Sequence, residues 1–207
     1  EWDYIDFNPT DGIKKYKEVK RDRFLQPDEM DRFFKALDEE ENIIARSYFY
    51  ILLFTGARKT NVLSMRWEEI RFETKFWRIP DTKNGEPQTV PLIDDAIKIL
   101  KELPRINQWV FPSATSSNGH FADPKRPWNR ILERADIKNL RIHDIRRTLG
   151  SYQAITGSSL QIIGKSLGHK SMDSTQIYAR LHTDPVRESM ENAVSKMFEY
   201  GKVKENN

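Results

Sequence analysis

The apolar positions of this chain fall into a run of helical periods broken by one pair of strands. Pro27 at a first helical position, followed by Asp28 and Glu29, opens a helix to about Asp38 with Phe33, Phe34 and Leu37 on its inner stripe. Ile43 to Phe54 is apolar almost all round, with Tyr48, Tyr50, Leu52 and Leu53, and Gly56 stops it. Phe72 to Pro80 and Thr89 to Leu92 are rich in aromatic and β-branched residues and flank Asn84-Gly85, so they read as a hairpin. Asp94-Asp95 begin a helix from Ala96 to Leu103 and suit capping and the helix dipole. Residues 113–124 read as a polar loop, and Pro127 to Ala135 as another helix.

A helix stripe of Ile145, Leu149 and Tyr152 comes next, then one of Leu160, Ile163 and Leu167. Gly168 stands where a helix end favours positive φ, and Ser171 is placed to cap a further helix that carries Tyr178. A last helix from about Pro185 to Phe198 has the stripe Val186, Met190, Val194 and Met197, which must find cover on its own domain or on a neighbour. The fold class is therefore α+β, mainly α-helical, with a small antiparallel sheet or hairpin.

Composition narrows the classes without choosing one. The 207 residues suffice for one domain with a core. No apolar run approaches the ~20 residues of a membrane span, and no signal peptide opens the chain. The absence of Cys removes disulfides and thiolate metal sites and fits a reducing compartment. A net charge of +3 is compatible with nucleic acid without demanding it.

The chemistry concentrates between Arg141 and Arg180. His143 and Arg146, three apart on a helix, share a face, and the core stripe lies elsewhere on that helix. Leu167-Gly168-His169 follows, and Tyr178 comes nine residues after that histidine. An Arg offers a fork of donors for two phosphate oxygens, a His a donor or proton carrier near neutral pH, and a Tyr a covalent nucleophile. Of the seven tyrosines, Tyr48, Tyr50 and Tyr152 sit on apolar faces, and Tyr4, Tyr16 and Tyr200 lack chemical companions. The four His match no zinc spacing, and Asp144 alone supplies no two-metal carboxylate cluster, so neither a metal nor another cofactor is expected.

This ordered set resembles the C-terminal half of the tyrosine recombinase (phage integrase) signature. Thr55-Gly56-Ala57-Arg58, followed by Leu63 and Trp67, resembles that family's first arginine motif, and Pro80-Asp81-Thr82-Lys83-Asn84 its hairpin lysine segment. Alone, Arg58 would read as a solvated charge after a helix and Lys83 as a solvated hairpin residue; the resemblance makes both site residues. The family is commonly acidic three residues after that arginine, where this chain has Asn61.

The resemblance implies a catalytic set of Arg58, Lys83, His143, Arg146, His169 and the nucleophile Tyr178. It implies DNA cleavage and rejoining through a 3′-phosphotyrosyl intermediate, without metal or ATP. Double-stranded DNA attachment or core sites would be the substrate, with self-association into a tetramer on DNA, accessory DNA-bending or directionality factors, and a cytoplasmic, nucleoid-associated location. Residues 1–22 would be a linker from an N-terminal DNA-binding domain, 23–200 the catalytic domain, and 201–207 a tail. A type IB topoisomerase shares the chemistry, and a DNA-binding module with a degraded site is the non-enzymatic alternative.

Overall fold

The structure is a computed structural model that describes residues 9–13, 16, 21–80, 86–181 and 183–203. It is α+β and mainly helical. Helices α1 (Pro27–Asp38), α2 (Ile43–Thr55) and α3 (Lys59–Leu63) lead into a three-stranded antiparallel sheet. The strands are β1 (Ile70–Arg71), β2 (Phe76–Ile79) and β3 (Gln88–Pro91), in sequence order, with Trp77 opposite both Ile70 and Val90. After them come α4 (Asp94–Glu102), α5 (Lys125–Arg134), α6 (Ile142–Ile155), α7 (Leu160–Leu167) and α8 (Thr183–Val203). No helix among the described residues is long and apolar enough to cross a membrane.

The apolar α2 is the central element, packed against α1, α4 and α6. Its Tyr48, Phe49, Ile51 and Leu52 are almost wholly buried. The Phe49 ring meets Trp128 of α5 at 5.1 Å, and Tyr48 meets Phe111 edge-on at 5.7 Å. Fully burying one such side chain is worth roughly 1.5–3 kcal/mol, so this cluster fixes where both ends of α2 lie. Gly56 ends α2 at φ 58°, which a side chain would strain. A second, smaller cluster joins Ala154, Ile163, Leu167 and Tyr178.

Several local expectations need correction. Strand residues begin at Ile70, and Phe72 lies in the turn before β2. Asp94 and Asp95 occupy the first turn of α4 with no side-chain cap; Asp94 instead pairs with Lys75 at 2.5 Å. Tyr50 is half-buried, stacked on Phe34 and donating to Asp38 Oδ1 at 2.6 Å. Tyr152 is likewise half-buried, edge-on to Phe24. Tyr178 does not ride on an α-helix capped by Ser171. Its segment is two 3-10 turns, Met172–Ser174 and Gln176–Leu181, and Ser171 makes no side-chain cap. No correction is needed for the stripe of α8, expected to find cover on its own domain or on a neighbour: along this chain it is exposed, with Met190 at 65% and Met197 at 69%.

Candidate active site

Two helix ends and one helix face build the site. Arg58 follows the left-handed Gly56 and stands at the start of α3. His143 and Arg146 project from the first turns of α6, whose start is closed by Arg141 N–H donating to Asp144 Oδ2 at 2.8 Å. His169 follows Gly168, which ends α7 at φ 64°. A Cβ on Gly168 would also fall 2.4 Å from the Gln88 amide, so the turn and β3 meet at close range. Tyr178 lies in the 3-10 turn packed on α6, with its ring against Gly150.

Arg58, His143, Arg146, His169 and Tyr178 line one cavity of about 520 Å³, together with Arg21 and Arg147. Arg146 is only 5% exposed. It donates Nη1 to the Gly56 carbonyl at 2.6 Å and Nη2 to the Leu167 carbonyl. A guanidinium has five N–H donors, so three are left unused among the described residues. Arg58 Nη1 is buried with no hydrogen-bond partner among the described residues. An unmet, buried cationic donor is costly and calls for an anion.

The protonation states follow from burial and from the crowd of cations. Burial, then the charges of Arg146, Arg58 and His143, push His169 down to about 4. His143 is lowered by partial desolvation, then by Arg147, Arg146 and Arg58, while Asp144 pulls the other way; its ring keeps solvent contact at the cavity rim. Both imidazoles are therefore neutral near pH 7. Arg146 is brought down to about 10 by burial and then by Arg58. Burial raises the Tyr178 phenol, with Arg146 and Arg147 acting in the opposite sense. His169 Nδ1 lies 2.9 Å from Thr175 Oγ1, which fixes the ring.

Lys83 lies outside the described residues. The described flank of its hairpin does reach the His169 turn: Glu86 pairs with Lys170 at 3.2 Å, and Gln88 Nε2 donates to the Ser166 carbonyl at 3.5 Å. Among the described residues the buried Asn61 Nδ2 has no partner, and no hydrogen bond joins Asn61 to Arg58. His120 sits edge-on to Trp109, outside the residues lining this cavity, and His182 is outside the described residues. Sequence reasoning missed Arg21, Gly150 and Thr175, which carry no local pattern; Arg147 was visible beside Arg146 but unassigned.

The chain belongs to the phage integrase family, whose sequence pattern matches residues 23–184. The prophage integrase IntF of Escherichia coli K12 is 32% identical over 158 residues, covering 73% of this chain and 34% of that protein. The integrase of Salmonella phage P22 is 28% identical over 195 residues, 87% of this chain and 49% of the relative. The chain thus spans a third to a half of these curated relatives. Its fold is shared with the XerH site-specific recombinase in a post-cleavage complex with a palindromic difH substrate: TM-score 0.67, 20% identity, 83% of this chain and 53% of the other.

Proposed function

We infer that this chain is the catalytic part of a site-specific DNA recombinase that breaks and rejoins strands through Tyr178. Membership of the family supports this, and one observation carries it: Arg58, whose buried Nη1 has no partner among the described residues, and Arg146 line a single cavity with Tyr178. Two cations about one small cavity suit a phosphodiester.

Tyr178 Oη attacks the phosphorus, the bond to the 5′-oxygen breaks, and a 3′-phosphotyrosyl ester forms. Ionising a free tyrosine at pH 7 costs about 4 kcal/mol, and burial adds to that, so the proton leaves during attack. Neutral His143 accepts it. Arg58 and Arg146 hold the non-bridging oxygens, each such donor being worth about 10²–10³ in rate. With the Thr175 hydroxyl donating to Nδ1, the His169 Nε2–H is free to donate to the phosphate. Lys83 protonates the departing 5′-oxygen. Reversal on a second 5′-hydroxyl rejoins the strands, and the ester conserves the bond energy.

Residues 1–22 lead in from a DNA-binding domain, and 23–200 form the catalytic unit. Copies of the chain assemble on DNA through α8. Its exposed Val186, Met190 and Val194 match in kind an apolar cavity of about 400 Å³ lined by Met30, Phe34, Leu53, Phe54 and Val90, which a neighbouring copy can fill.

Incubation with a nicked suicide duplex, followed by a denaturing gel, tests the chemistry. Wild type should give a covalent protein–DNA band and Tyr178→Phe none. A band from Tyr178→Phe, or none from wild type bound to the DNA, would refute the assignment.

A further inference from the structure

The stretch just ahead of α1 is fastened to both functional elements. Residues 21–25 lie against α6. Arg21 donates Nε to Asp144 Oδ1 at 3.1 Å and Nη2 to Oδ2 at 2.6 Å. Leu25 N–H donates to Thr148 Oγ1 at 3.0 Å, and the Phe24 ring meets Tyr152 at 6.3 Å. Positions 144, 148 and 152 are spaced four apart, so the stretch lies along one face of the helix.

Between these anchors Asp22 points the other way. Its carboxylate accepts from Arg180 Nη1 at 2.5 Å, and its backbone carbonyl from Arg180 Nη2 at 3.0 Å. Arg180 stands two residues after Tyr178 in the same 3-10 turn. A 3-10 turn of six residues holds its own shape poorly and needs outside support. Here the ring of Tyr178 rests on Gly150, and the far end of the turn is held by Asp22. Arg21 and Asp22 precede the stretch 23–184 that matches the family pattern, so the contact belongs to this chain's lead-in.

We propose that Asp22 and Arg180 are positioning residues: the pair straps the Tyr178 turn to the lead-in segment, which is itself pinned along α6. The placement of the lead-in along α6 is then coupled to the placement of the nucleophile. This rests on the reading of Tyr178 as the nucleophile.

The test uses the full chain in three forms: Asp22→Arg, Arg180→Asp, and the double swap. Each single reversal should lower the cleavage rate constant on saturating suicide duplex by roughly two- to fivefold, the range of a half-exposed ion pair. DNA affinity should follow the two-unit change in charge in each single variant and return in the double swap, which restores the net charge and should recover the rate. Amide hydrogen exchange across 176–181 should quicken in each single variant and slow again in the swap, with or without DNA. Unchanged exchange and rate in the single variants, or a swap as slow as their combined losses, overturns the strap even where wild type forms the adduct. A wild type that forms no adduct overturns the catalytic reading instead; the exchange data then still report whether the strap exists.

Discussion

Gly150→Ala should impair Tyr178, the proposed nucleophile, without touching a charged group. A Cβ built at position 150 falls 2.6 Å from Tyr178 Cζ, 2.8 Å from Cε1 and 2.9 Å from Oη. Ordinary contact begins near 3.4 Å, so the ring must retreat by about 0.8 Å, and the α6 backbone behind the methyl will not yield. A displacement of about 1 Å at a reacting atom costs on the order of 10² in rate. Ala also favours the helix by about 1 kcal/mol over Gly, which offsets lost packing of the ring. The variant should therefore unfold within about 1 kcal/mol of wild type and bind a DNA duplex equally well in fluorescence anisotropy. Its single-turnover cleavage of a suicide substrate should fall about 100-fold. In a Tyr178→Ala background the clash is gone, and the same substitution should become stabilising, a coupling that a double-mutant cycle isolates. Cleavage by Gly150→Ala at the wild-type rate would show that the ring does not react from this position.

Other outcomes follow from the same geometry. The Asp144 carboxylate is 0% exposed between Arg21 and Arg147, so Asp144→Asn should lower stability by about 2–4 kcal/mol in urea unfolding. His169 is held at about 4 and His143 below its usual 6.5, so the unfolded chain binds more protons between those values. Stability should consequently fall as pH drops from about 6.5 to 4, by on the order of 1 kcal/mol for His169 after solvent screening, and His169→Gln should flatten the curve of urea midpoint against pH. The double variant Met190→Asp, Val194→Asp alters exposed positions of α8 and should leave monomer stability within about 0.5 kcal/mol. It should reduce multimers on DNA in native gels; undiminished multimers would remove α8 from the assembly.

The sequence disclosed most where a position depends on near neighbours. Gly56 and Gly168 mark helix ends by their own conformational freedom, and His143 and Arg146 share a face through helical spacing alone. The turn carrying Tyr178 was misread because Ser171 suits a helix cap locally, whereas packing on α6 and α7 selects 3-10 geometry. Arg21 could not be found at all: 123 residues separate it from Asp144, and no local period encodes that meeting. The α8 stripe is plain in the sequence, but a periodic pattern does not say which molecule will cover it.

Arg146 grips the carbonyls of Gly56 and Leu167, the backbone oxygens left over where α2 and α7 stop. Those two helix termini carry partial negative charge, and the guanidinium is their shared counterweight. An inactive Arg146→Ala enzyme would accordingly be ambiguous, since the Arg58 loop and the His169 loop would both lose their keystone. The part in the reaction proposed for this cation is better probed from the DNA side, by replacing a non-bridging phosphate oxygen with an uncharged methyl group and leaving the protein's architecture whole.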